Sequence, residues 1–121
     1  MKIALPVNDD KKTICSAFGR TAFFVVYDLD TDQYEIIDNS EARNSVGGAG
    51  IAASQMMLDL GVEAVISPRL GENAAEVLRA AKVPMYANES ELWEENVALF
   101  KEGKCRTDAD IHPGYHRTGG M

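Results

Sequence analysis

Residues 22–38 read AFFVVYDLDTDQYEIID. Ala22 to Leu29 is β-branched and aromatic, Asp30-Thr31-Asp32 turns the chain, and Tyr34 to Asp38 supplies a second strand carrying Tyr, Ile and Ile. The segment therefore predicts an antiparallel hairpin. Ahead of it, Ile3 to Val7 is a short apolar run ended by Pro6 and an Asn8-Asp9-Asp10 turn. Behind it the period changes from 2 to 3.6. Ala53, Met56, Met57 and Leu60 fall on one helical face, and Gly61 fits a C-terminal stop. Val62 to Ser67 then reads as a buried strand, Ala74, Val77, Leu78 and Ala81 as the face of a second helix, and Pro84 to Ala87 as a short strand. Asn88 with Glu91 has the spacing of a capping box, ahead of a third helix with Trp93, Val97 and Phe100 as its stripe and Gly103 after it.

The order is β-β-β-α-β-α-β-α. A hairpin joins strands two and three, and a right-handed crossover makes strands four and five parallel neighbours. With strand one central, the expectation is an α/β fold with a five-stranded mixed sheet, order 3-2-1-4-5, strand two antiparallel, and three helices. Connections then leave strand one in opposite directions and open a crevice at the carboxyl ends of strands one and four. The loops 8–20, 43–50 and 68–73 all emerge at that edge.

The chain has 121 residues and no internal repeat, which predicts one domain over 1–103 followed by a mobile tail, 104–121. A net charge of −7 has the wrong sign for general nucleic-acid binding, which relies on Lys and Arg to neutralise phosphates. The apolar runs are too short for a membrane span, and the charged, turn-forming start is unlike a signal peptide, so a cytoplasmic protein is expected. Cys15 and Cys105 lie 90 positions apart, without the spacing of a zinc site or a disulfide framework.

Each of the three loops carries glycine: Phe18-Gly19-Arg20, Gly47-Gly48-Ala49-Gly50 and Arg69-Leu70-Gly71-Glu72-Asn73-Ala74. Glycine lets a ligand reach backbone N–H groups, and a following helix adds the positive end of its dipole, so the crevice suits an anion. Gly47, Gly48 and Gly50 form neither a P-loop nor a G-x-G-x-x-G fingerprint, which argues against a nucleotide. They serve equally well for close helix packing. Arg20, Arg43 and Arg69 would ring the crevice with guanidinium donors, or pair with Asp9, Asp10 and Glu72.

Met1-Lys2-Ile3-Ala4-Leu5-Pro6-Val7, Phe18-Gly19-Arg20, Gly-Gly-Ala-Gly at 47–50 and Gly71-Glu72-Asn73-Ala74, in this order, resemble the dinitrogenase iron-molybdenum cofactor biosynthesis family over residues 1–103. That family includes nitrogenase accessory factors and a small orange protein holding a molybdenum-copper sulfide cluster. The resemblance implies a ribonuclease H-like fold and an anionic metal-sulfur cargo, Mo-Cu-S or Fe-Mo-S. Its motifs together with the reading of the three loops give Cys15, Phe18, Gly19, Arg20, Arg43, Gly47, Gly48, Gly50, Arg69, Gly71 and Asn73 as the candidate binding residues. Members commonly carry His before Phe-Gly-Arg, where this chain has Ala17, and a second His in the loop before the glycines, absent here between Glu41 and Gly48.

Cys15 is a candidate replacement ligand, since Arg20 and a helix N-terminus nearby would favour a thiolate; the alternative is a small packed hydrophobe. Cys105, His112 and His116 give the tail an inventory for Cu or Zn, although Pro113-Gly114 rules out one helical face for the two histidines. Asp9, Asp10, Asp28 and Asp30 read as turn formers rather than a two-metal nuclease centre, because Asp28 and Asp30 lie toward the wrong end of strand two. The expected function is a non-enzymatic carrier of an anionic metal-sulfur cluster or cofactor precursor, with a protein partner for delivery. The competing readings are an enzyme on a small anionic metabolite with Cys15 as nucleophile, and an interaction module using Glu89, Glu91, Glu94 and Glu95.

Overall fold

The computed structural model describes residues 1–46, 48–105 and, as backbone, 110–112. Its order is β1 (Lys2–Val7), β2 (Phe23–Asp28), β3 (Gln33–Asp38), α1 (Ser40–Arg43), α2 (Ala49–Asp59), β4 (Val62–Ile66), β5 (Arg69–Gly71), α3 (Glu72–Ala80), β6 (Met85–Tyr86), α4 (Trp93–Lys101) and β7 (Asp110–His112). β3, β2, β1, β4 and β6 form one sheet in that order. β2 is antiparallel to both β1 and β3, while β4 runs parallel to β1 and to β6. The hairpin keeps full register from Phe23↔Asp38 to Asp28↔Gln33.

The core follows from period-2 alternation across a sheet with helices on both faces. Ala4, Phe24, Val26 and Val65 face α2 and α3 and pack with Ala53, Met57, Ala74 and Leu78. Ile3, Leu5, Val7, Val25, Ala64 and Ile66 face α4 and meet Trp93 and Val97. Met57 and Leu78 are fully buried, each contributing roughly 1.5–3 kcal/mol of apolar transfer. Gly61 stops α2 at φ +82°, a conformation that side chains disfavour.

The structure departs from the sequence expectations in three places. Four helices are present among the described residues rather than three, because α1 is a single turn, too short to show a helical period. Asn88 and Glu91 do not cap α4. Its N-cap is Leu92, and the turn before it is instead held from within the helix by buried Asn96, whose Oδ1 accepts from the N–H groups of Glu89 (2.7 Å) and Ser90 (3.2 Å) and whose Nδ2 donates to the carbonyls of Ser90 and Leu92, each at 2.8 Å. Finally, residues 69–71 are a strand rather than loop, pairing in parallel with residues 110–112 of the expected tail.

Candidate functional site: an anion cradle at the carboxyl edge of the sheet

The loop after β1 is fixed at several points. Asn8 and Cys15 donate their N–H groups to the carbonyls of Thr13 and Pro6, each at 2.9 Å. Asp10 closes a turn by accepting from the N–H of Thr13, the N–H of Lys12 and the Thr13 hydroxyl, donors that hold its carboxyl below the usual carboxylate range. The same loop is tied to α4, because Trp93 donates through Nε1 to Lys11 and through its N–H to Lys12. At its far end the buried Thr21 hydroxyl donates to the Val7 carbonyl at 2.7 Å. Asn39, also fully buried, donates Nδ2 to the carbonyls of Gly19 (3.2 Å) and Thr21 (2.9 Å). Its Oδ1 is buried and has no partner among the described residues.

These ties press the loop against the start of α2. A Cβ on Gly19 would fall 2.7 Å from the Gly50 nitrogen and 2.8 Å from its Cα, so glycine at 19 is a packing requirement. Gly50 in turn faces Ala74 at the start of α3. The three segments enclose a hollow of about 320 Å³ lined by Ser16 to Arg20, Ala49, Gly50, Arg69 and Gly71 to Ala74.

Two helices, of 11 and 9 residues, begin at this hollow. Their N-caps, Gly48 and Gly71, supply no side-chain acceptor, so no side-chain cap occupies either first turn and both positive dipole ends meet the hollow. The lining also carries Arg20 and Arg69, and one carboxylate, Glu72, which lies 3.7 Å from Arg79. Positive charge thus gathers locally on a chain whose net charge is −7. Arg79 belongs to the electrostatics of the pocket through Glu72, even though it sits about two turns further along α3.

Of the residues singled out from sequence, Phe18, Gly19, Arg20, Gly50, Arg69, Gly71 and Asn73 come together here. Phe18 contributes backbone; its ring is buried, edge-on to Phe24 at 5.0 Å. Gly48 caps α2 outside the lining, and a Cβ there would meet nothing within 4 Å. Cys15 and Arg43 line a neighbouring hollow with Asp9, Asp10 and Thr13. Arg20 borders both hollows and donates to the Arg43 carbonyl at 2.6 Å. The Cys15 sulfur accepts from the Ala17 N–H at 3.5 Å. Ala17, the residue before Phe18-Gly19-Arg20, itself lines the main hollow with a methyl.

Cys105 packs with the α4 core on the opposite face of the sheet, and burial, with Glu89 nearby, pushes its thiol pKa up. Gly47 and His116 lie outside the described residues. The backbone of His112 pairs beside Gly71. No group of three or more metal-ligating side chains occurs among the described residues. Nor is any helix among them long and apolar enough to cross a membrane. Sequence reasoning missed Ser16 as a lining residue, took Ala49 and Ala74 only as parts of the glycine-bearing segments, and missed Asn39, which had no local signal.

Comparison with known proteins bears directly on this edge. Residues 1–103 match the family model described as dinitrogenase iron-molybdenum cofactor. An uncharacterised protein of Methanocaldococcus jannaschii is 31% identical over 107 residues, 86% of this chain and 88% of that protein. The apo form of the orange protein from Desulfovibrio gigas superposes with a TM-score of 0.81 at 28% identity, covering 90% of this chain and 93% of its own. A Thermotoga protein named for NifB, solved by NMR, gives a TM-score of 0.76 at 28% identity over 98% of both chains. The match spans every element that builds the cradle, and the chain belongs to the dinitrogenase iron-molybdenum cofactor family.

Proposed function

We propose that the protein is a cytoplasmic carrier that holds an anionic metal-sulfur cluster or cofactor precursor, of Mo-Cu-S or Fe-Mo-S composition, for delivery to a protein partner, without chemistry of its own. The observation that carries this reading is the convergence of two helix N-termini without side-chain caps, α2 and α3, on one hollow bordered by Arg20. Such a site recognises charge and shape: N–H groups and guanidinium forks donate to the sulfur or oxygen surface of the anion, and the metal inside it needs no bond to the protein. Family membership supplies the cargo class. The sheet order with its antiparallel second strand supports the ribonuclease H-like assignment.

The test is an anaerobic titration with tetrathiomolybdate, followed by charge-transfer absorbance at fixed ionic strength. Arg20→Ala removes a charge-assisted contact and is expected to weaken binding by about ten- to hundredfold, from roughly 1.5–3 kcal/mol. Lys82→Asn, at the far end of α3 in a left-handed conformation that Asn tolerates, serves as the charge control and should bind as wild type does. Equal affinity for wild type and Arg20→Ala would put the cargo elsewhere.

A further inference from the structure

The main sheet ends on one side in β3, six residues paired with β2 in unbroken register, and on the other in β6, which has two. A long regular edge is a template for another chain, and proteins blunt such edges with proline, lysine, a bulge or brevity. β6 is short, whereas β3, Gln33-Tyr34-Glu35-Ile36-Ile37-Asp38, has none of these devices. In the same ladder the Asn39 N–H donates to the Ala22 carbonyl, so odd-numbered positions turn their N–H and C=O groups toward β2 and even-numbered ones turn them outward. Tyr34, Ile36 and Asp38 therefore present a row of outward backbone donors and acceptors that no described strand pairs.

The side chains along this row are self-complementary. Tyr34 and Ile36 lie on the α4 face, where Tyr34, 50% exposed, packs on Trp93 at 4.7 Å. With exposed Leu92 they wall a hollow of about 490 Å³ that reaches Lys11 and Lys12. These lysines lie toward the Asp38 end of β3, since the Lys11 ammonium sits over Phe23, the register partner of Asp38. Toward the Gln33 end the same surface carries Asp32, Glu94 and Glu102, with Lys101 paired to Asp32. The edge is thus acidic at one end and basic at the other.

We propose that β3 pairs antiparallel with β3 of a second copy of this chain, across a two-fold axis at Ile36, joining the two five-stranded sheets into one and leaving the two cradles on opposite edges of it. Such an axis keeps like faces of the sheet together, so it passes through a residue rather than between two. Centred on Ile36, that side chain meets its own copy, Tyr34 meets Asp38 of the second copy, and all three outward positions exchange N–H···O=C bonds. Centred on Glu35, two carboxylates would stand directly opposed, which cross-strand pairing disfavours, and axes nearer either end pair fewer outward positions. The antiparallel arrangement also sets the acidic end of each copy against the Lys11 and Lys12 end of the other, which counters locally the repulsion between chains of net charge −7. An extended peptide would gain the ladder but not this reciprocal match. The seam is short, so the dimer is reversible and concentration-dependent.

Sedimentation of the full chain from micromolar to roughly millimolar concentration reads the equilibrium, and amide hydrogen exchange at both ends of that range locates the seam. The expected result is a dimer at the high end, in which the amides of Tyr34, Ile36 and Asp38 gain protection in step with the dimer fraction. Glu35 and Ile37, already bonded to β2, should not change. Ile36→Pro removes the central donor, and Ile36→Lys opposes a charge to its own copy; each should weaken dimerisation by about tenfold or more, the lysine variant covering the case in which proline disturbs the strand. A wild-type chain that stays monomeric throughout, or a dimer that forms equally well with Ile36→Lys, would overturn the proposal. So would protection gained at other amides instead, or protection of 34, 36 and 38 that is independent of concentration, which would mean that the edge is covered from within one chain.

Discussion

Replacing Gly50 by alanine should move stability and affinity in opposite directions. Gly50 is the second residue of α2, and a Cβ there would lie 3.4 Å from the Cβ of Ala74, 3.7 Å from its nitrogen and 3.9 Å from its Cα. Those are ordinary van der Waals distances, so the fold accepts the methyl. Alanine also removes the conformational entropy that glycine loses in a helix, worth roughly 0.5–1 kcal/mol in a helix interior and less in a first turn. Stability should thus be unchanged or rise by up to about 1 kcal/mol, a melting temperature shift of no more than about 4 °C. The same methyl occupies the wall where an anion would approach the first turn of α2. Losing one charge-assisted contact of roughly 1.5–3 kcal/mol weakens tetrathiomolybdate binding by about ten- to hundredfold. Thermal unfolding by circular dichroism and the optical titration read the two quantities on one sample. A variant that melts at or above the wild-type temperature yet binds within about twofold of wild type would refute the close-approach argument. One that unfolds would refute the packing argument.

The remaining predictions concern the frame around the cradle. Asn96→Ala removes the side-chain acceptor of the Glu89 and Ser90 N–H groups and one of the two donors to each of the Ser90 and Leu92 carbonyls, which keep Asn88 Nδ2 and the residue-96 N–H, and should cost about 2–4 kcal/mol in chemical denaturation, whereas a change under about 0.5 kcal/mol would show that water replaces the side chain readily. Asp10, Asp32 and Asp38 are held below the usual carboxylate range, Asp10 by Thr13 and Lys12, Asp32 by Lys101 and Tyr27, and Asp38 by Ser40. A depressed native pKa favours the folded state above the unfolded carboxylate value of about 3.9, and that contribution is lost as pH falls through the native values. Asp10→Asn should therefore be less stable than wild type at neutral pH and converge with it toward pH ~2; parallel curves across the whole range would contradict the assignment. A chain ending at Lys104 retains all five strands of the main sheet and nearly all of both cores, so it should still unfold cooperatively, and loss of cooperative melting would make the C-terminal segment part of the folding unit.

What was legible in the sequence was whatever repeats with a period. The alternation in 22–38 and the 3.6-residue spacing of Ala53, Met57, Ala74 and Leu78 lead to the sheet order and to the edge where the glycines meet. α1 escaped because one turn shows no period. The β5–β7 ladder escaped because it joins three-residue segments some forty positions apart, with no turn between them to announce a pairing. Loops carry no period either, so sequence gave no sign that Ala17 and Cys15, two positions apart, border different hollows. Asn39 and Asn96 read as surface residues by type; their burial is imposed by the backbone groups they satisfy.

The central claim is that an anion sits against the starts of α2 and α3. Amide chemical shifts from a ¹⁵N-labelled chain titrated with tetrathiomolybdate test it most directly. The account predicts that the largest shifts cluster at Gly19, Arg20, Ala49, Gly50, Asn73 and Ala74 and saturate together. Shifts confined to the Tyr34 and Trp93 face, or to the hollow around Asp9 and Cys15, would contradict it.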